Sequence, residues 1–132
     1  MSGVTVKSFE YPKDFSELVL HELDTRYSRE VVTIAANSGE IPFGMVLARR
    51  SDGNYEPLKE NAGTLGDAKA VLITASGVPA ATETQQALVL RGYCVLNGSN
   101  ALFDASVTKK ADALAALSDR GFIIKEIPDV DA

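Results

Sequence analysis

Few residues in this chain could carry covalent or acid–base chemistry. It has one histidine, His21, one cysteine, Cys94, and no tryptophan. One of each cannot assemble a Cys/His zinc set, and a lone cysteine cannot form a disulfide within the chain. A hydrolase built on this pair would need Cys94 and His21 within hydrogen-bond reach, beside an oxyanion-stabilising loop. Their neighbours argue for blander roles. His21 stands between Leu20 and Glu22 in a charged stretch, as a surface or interface histidine does. Cys94 stands between Tyr93 and Val95, as a small core or interface residue does. Gly63-Thr64-Leu65-Gly66 lacks the Lys-Ser/Thr of a phosphate loop and opens no helix. Asp67-Ala68-Lys69 lacks the adjacent carboxylate and lysine of a lipoyl-type hairpin. Arg49-Arg50 beside Lys59 reads as a solvated strand end, and Asp129 and Asp131 lack calcium-loop spacing. The expectation is therefore no catalytic residue, no metal and no cofactor.

The elements that could position a site come from 132 residues, 45% of them hydrophobic and 23% charged. That mix supports one packed core. Thirteen Lys and Arg against 18 Asp and Glu leave a net charge of −5. This argues against a nucleic-acid partner, whose affinity comes largely from cations at phosphates. No run of about 18 apolar residues exists to cross a membrane as a helix. Residues Met1 to Tyr11 lack the apolar run of a secretory signal.

Residues 1–27 read as an N-terminal arm, with apolar anchors, many charges and no core of their own. Two readings stay open for 14–23: a helix capped by Asp14 with Phe15, Leu18, Val19 and Leu23 on one face, or a short strand over 17–22. From residue 28 the pattern turns to β. Strands are expected over 30–35, 45–48, 55–58 and 70–74. Ser51-Asp52-Gly53-Asn54 is a hairpin turn, because Asp-Gly readily takes positive φ. Residues 86–96 form the longest strand, with its phase slipping at Gly92. A helix over 109–120, capped by Thr108 or alternatively Ser106, has Ala111, Leu114, Ala115 and Leu117 as its stripe and Gly121 at its end. A strand over 122–127 closes the chain.

Three stretches, in this order, resemble a known family. They are Ser16-Glu17-Leu18-Val19-Leu20-His21-Glu22 with Tyr27-Ser28-Arg29-Glu30-Val31-Val32-Thr33-Ile34, then Ala70-Val71-Leu72-Ile73 through Pro79-Ala80-Ala81-Thr82 to Ala87-Leu88-Val89-Leu90-Arg91-Gly92, then 109–117 with Arg120-Gly121-Phe122-Ile123-Ile124. Over residues 16–126 the chain resembles the head decoration proteins of tailed bacteriophages, the group that includes the lambda decoration protein. The resemblance implies a mainly β domain with one helix (α+β), a small β-barrel or β-tulip-like unit over 28–132 with an extended N-terminal arm. It implies no enzyme activity. It implies a capsid decoration protein that binds as homotrimers to the major capsid protein of its phage. The sites are three-fold and quasi-three-fold positions on the outer surface of the expanded head. The lone Cys94 in an apolar run fits synthesis in the reducing host cytoplasm.

Two sets of candidate site residues follow. Val4, Val6, Phe9, Tyr11 and Phe15 are apolar residues outside the core pattern and are candidate shell contacts, the alternative being an arm that packs on its own domain. Gly63, Gly66, Gly77, Pro79 and Gln86 are candidate trimer-interface residues, the alternative being ordinary surface loops. A different function class is a virion-surface module that binds a glycan or host receptor, which would need exposed aromatic residues.

Overall fold

The computed structural model describes residues 15–60 and 67–126. A helical turn over 15–18 leads directly into strand β1 (Val19–Glu22). Each of the two readings of 14–23 thus holds for half of the segment. A short helix α1 (Thr25–Ser28) follows, capped by the Asp24 side chain, which accepts a hydrogen bond from the Arg26 amide. Then come β2 (Arg29–Ile34), β3 (Val46–Arg49), β4 (Tyr55–Pro57), β5 (Ala68–Leu72), β6 (Gln85–Leu90), β7 (Cys94–Asn97), helix α2 (Lys110–Ser118) and β8 (Phe122–Lys125). Ile127, placed at the end of the last strand by its pattern, lies outside the described residues.

Five strands close a barrel in the order β2-β4-β3-β5-β6, and β1-β7-β8 form a separate sheet. The β-rich barrel with one substantial helix agrees with the expected fold class. The Asp52-Gly53 turn joins β3 to β4, with Arg49 opposite Tyr55 and Gly53 at φ +92°.

The expected strand over 86–96 is in fact two strands in two sheets. Gly92 at φ +141° and Tyr93 at φ +57° turn the chain between β6 and β7. A Cβ on Gly92 would lie 2.7 Å from the Arg120 carbonyl oxygen, so the backbones approach too closely there for a side chain.

The barrel interior is filled by Val32, Ile34, Ile41, Met45, Leu47, Ala70, Leu72, Val78, Ala87 and Val89. A second core joins the barrel's outer wall to the three-stranded sheet and α2. Val46, Val71 and Leu90 meet Val19, Cys94, Leu96, Leu114, Leu117 and Phe122 there. Val46 and Leu47 of β3 and Ala70, Val71 and Leu72 of β5 are therefore buried on both faces of the wall, which explains why 45–48 and 70–73 read as apolar runs. The strand expected over 70–74 begins and ends two residues earlier.

Helix α2 buries Ala113, Leu114, Ala116 and Leu117. Of the expected stripe, Ala111 and Ala115 are exposed. The helix packs one side on β5 and another on β8, so its contact is wider than a single stripe. Neither Thr108 nor Ser106 is the cap residue. Lys109 occupies that position without a side-chain bond, and the Glu60 carboxylate accepts from the Thr108 and Lys109 amides at 2.8 and 3.3 Å. A carboxylate from a distant loop thus accepts from the two amides just ahead of the helix and complements the helix dipole. Gly121 at φ +100° ends the helix as expected.

Candidate functional site

The sheet β1-β7-β8 covers the second core with one face and presents the other to solvent. Its register sets His21 opposite Val95 and Val95 opposite Ile123. These residues alternate with the buried Cys94, Leu96 and Phe122, as pleat geometry requires. At one end of this face Tyr93 and Tyr27 meet with ring centroids 6.3 Å apart. The Leu23 amide donates to the Tyr93 carbonyl oxygen at 3.0 Å, which brings Leu23 alongside. Leu23, Tyr27, Tyr93 and Ile123 are 61%, 53%, 51% and 50% exposed. Clustered apolar exposure makes this face a candidate contact surface. Sequence reading missed it, because Tyr93 was assigned to the interior of a continuous strand. The alternation of Ile123 with Phe122 is the signal that could have found it.

Phe15 is half-buried. Its ring lies 6.4 Å from that of Phe43, and the Arg29 guanidinium lies 5.4 Å from its centroid. Arg29 reaches the Glu22 carboxylate with Nε at 2.9 Å and Nη2 at 2.6 Å, and the Ser28 hydroxyl donates to the same group at 2.6 Å. The Arg29 hydrogen bond, aided by Ser28 and opposed by burial, holds the Glu22 carboxyl below the usual carboxylate range. Leu18 and Val19 enter the core beside this ion pair. The segment at 15–22 is thereby fixed to the domain. Val4, Val6, Phe9 and Tyr11 lie outside the described residues.

Of the candidate interface residues, Gly63 and Gly66 also lie outside the described residues. Gly77 and Pro79 fall in the connection between β5 and β6, and Gln86 near the start of β6, at the end of the barrel where β2 finishes. Gly77 is buried in the turn after Thr74, whose carbonyl oxygen accepts from its amide at 3.0 Å. Pro79 is exposed and accepts from the Gln85 side chain at 2.8 Å. Gln86 is exposed on β6 opposite Thr33. Phe15 is not part of this group.

His21 and Cys94 do not form a dyad. On the β1–β7 pair, Glu22 rather than His21 stands opposite Cys94, and His21 is exposed whereas Cys94 is fully buried. Burial, reinforced by the Glu22 charge, pushes the Cys94 thiol up to about 12. A thiol in that state is almost wholly protonated at neutral pH and a poor nucleophile. Cys94 is expected to resist alkylation by iodoacetamide in the folded chain and to react once the chain is unfolded. Rapid labelling under native conditions would contradict its placement. Among the described residues there is no group of three or more metal-ligating side chains, and no helix long and apolar enough to cross a membrane.

The geometry is that of a surface for association: a barrel, an exposed apolar sheet face and an anchored N-terminal root. No curated protein matches the chain. The family model of the bacteriophage lambda head decoration protein D matches residues 8–122. That span takes in the barrel, strands β1 and β7 of the second sheet, the helix and part of the N-terminal segment, and so the chain belongs to the lambda head decoration protein D family, the phage capsid decoration proteins.

Proposed function

We propose that this chain is a cementing protein. It binds as trimers at three-fold and quasi-three-fold positions outside the expanded head and holds the major capsid protein lattice against the pressure of packaged DNA. It does so without catalysis, after synthesis in the host cytoplasm. The observation that carries this reading is the family match, which extends back to residue 8 and so includes much of the N-terminal segment.

In this reading residues 1–27 supply the shell-binding arm, and its root at 15–22 is packed on the domain at 28–132. Val4, Val6, Phe9, Tyr11 and Phe15 are its anchors, and Gly63, Gly66, Gly77, Pro79 and Gln86 lie toward neighbouring copies. An extended segment can add a strand to a sheet edge of the shell, where main-chain bonds give affinity and alternate side chains give register. Three arms on one trimer act as a multivalent unit, so modest contacts sum to firm attachment.

The exposed Tyr27–Tyr93 pair is the one observation that favours a glycan-binding module. Its surroundings, Leu23 and Ile123, are apolar, whereas a sugar site needs polar groups beside its aromatic platform. A protein contact fits this face better.

The test is co-sedimentation with expanded, undecorated heads. The intact chain is expected to bind saturably, near three copies per three-fold site. Removal of residues 1–14, which spares Phe15 and the core, is expected to raise the half-saturating concentration by about tenfold. Unchanged attachment of the shortened chain would remove the arm from the contact, and absence of binding by the intact chain would remove the cementing role.

A further inference from the structure

All five barrel strands meet at one mouth. There β2, β4 and β5 begin, and β3 and β6 end, as their parallel and antiparallel pairings require. The inward rows can be followed toward it. Val32 and Ile34 point inward on β2, Leu47 on β3, and Ala87 and Val89 on β6. One further step of the alternation reaches Glu30, Arg49 and Arg91. Arg49 stands opposite Tyr55, whose ring packs on the barrel interior and closes this end. Two more cations join them. Lys69 is the extra residue where the β3–β5 register shifts, and Arg120 donates its Nε to the Ala68 carbonyl oxygen at 2.9 Å. Arg91 is braced by its Nε bond to the Tyr27 carbonyl oxygen at 2.7 Å.

The result is a ring of four cations and one carboxylate in a chain whose overall charge is −5. Among the described residues, Arg49, Lys69 and Arg91 are in no ion pair, in contrast to Arg50, which meets Asp52 and Glu56 at 3.3 and 3.8 Å. An open polar cleft of about 420 Å³ lies at the mouth, lined by Glu30, Thr33, Arg49, Tyr55 and Lys69 among others. Burial holds the Tyr55 phenol above its ordinary value, assisted by Glu30 and opposed by Arg49, Arg120 and Arg91. It therefore stays a hydrogen-bond donor at neutral pH.

We propose that the barrel mouth is a carboxylate-binding site that takes an acidic peptide segment of the shell subunit. This rests on the cementing role proposed above. Arginine forks match carboxylate oxygens in pairs, and the Tyr55 hydroxyl supplies a further donor. Glu30 beside the ring penalises a dense anion such as a polyphosphate more than single carboxylates spaced along a peptide. Cations at the mouth also steer an acidic partner into register before contact.

The probe is a hexaglutamate peptide, titrated into the isotope-labelled full chain and followed by amide shifts, with inorganic tripolyphosphate as the competing anion. The peptide is expected to move the amides of Glu30, Arg49, Tyr55 and Lys69, and to bind more weakly as salt is added. Arg49→Gln and Lys69→Gln, made singly and together, are expected to weaken peptide binding by about fivefold for the pair. The pair is expected to raise the half-saturating concentration on expanded heads by a similar factor. The proposal is overturned if the peptide leaves the mouth amides unmoved, if tripolyphosphate binds more tightly than the peptide, or if the paired variant attaches to heads like the intact chain. Head binding by the intact chain tests the cementing role separately, so the two readings fail by different measurements.

Discussion

Gly77→Ala is expected to cost about 3 kcal/mol of stability, against about 1 kcal/mol for Gly39→Ala, as read from denaturant midpoints. The two glycines share a backbone conformation, φ +77° and φ +78°. They differ in what a side chain would meet. A Cβ on Gly39 finds nothing within 4 Å, whereas one on Gly77 would lie 2.5 Å from the Ile41 carbonyl oxygen and 3.3 Å from the Pro42 Cα. The backbone there has little freedom to yield. Ile41 and Val78 form an isolated bridge with both hydrogen bonds at 2.8 Å, and both side chains are buried in the barrel interior. Relief of the clash must open that bridge or displace Ile41. Gly39→Ala thus measures the conformational cost alone, and the difference between the variants measures the close approach. Equal losses would show that the Ile41 contact is not what demands glycine at 77. A role for Gly77 at a trimer contact gives a different signature, a midpoint that shifts with protein concentration.

What the sequence disclosed and what it hid divide along a physical line. Features set by near neighbours were legible. The Asp52-Gly53 turn, the β-branched run that became β2 and the glycine that ends α2 all follow from backbone preferences within a few residues. Features set by distant partners were not. Apolar residues flank Gly92 on both sides, and nothing local reveals that the chain leaves one sheet for another. The turn is made by positive φ at Gly92 and Tyr93, and the Arg120 carbonyl oxygen, far along the chain, leaves no room for a side chain at 92. The cap of α2 comes from Glu60, far back in the chain, so the nearby hydroxyl of Thr108 was the natural but mistaken choice. Residues 15–22 are divided between helix and strand because the edge of β7 recruits only the second half. The contact surfaces were the least legible. Leu23, Tyr27, Tyr93 and Ile123 become one face only when β1, β7 and β8 pair. Arg49, Lys69, Arg91 and Arg120 become one ring only when the barrel closes. A basic dipeptide at 49–50 looked like a solvated strand end, and closure separates its members, leaving Arg50 to Asp52 and Glu56 and Arg49 to the mouth.

Arg29→Met is expected to destabilise the fold by about 2 kcal/mol at neutral pH, below the range for a fully buried pair because the arginine is partly exposed. The Glu22 side chain is only 10% exposed and depends on Arg29 for two of its hydrogen bonds. Loss of the cation leaves a desolvated carboxylate that still accepts from the Ser28 hydroxyl, and strips the Phe15 ring of the guanidinium beside it. The exposed pair Arg26–Asp24 is the control, and Arg26→Met is expected to leave the midpoint unchanged. The pH dependence has a definite sign. Arg29 holds the native Glu22 carboxyl below its unfolded value, so the stabilisation is fully present above about pH 4.3 and is lost as pH falls through the lowered native value. In Arg29→Met the largest lowering influence is gone, the Ser28 hydrogen bond remains, and burial opposes ionisation. The acid loss between about pH 4.3 and the native value should therefore shrink, because the penalty is already present at neutral pH. The position of the pair carries the consequence into function. Glu22 closes β1, Arg29 opens β2, and Phe15 lies where the proposed arm joins the domain. Amide exchange in Arg29→Met should rise first at residues 15–22, ahead of the barrel strands. A uniform rise, or a loss no greater than that of Arg26→Met, would mean that the ion pair adds no stability and that the root of the arm is held by Leu18 and Val19 alone.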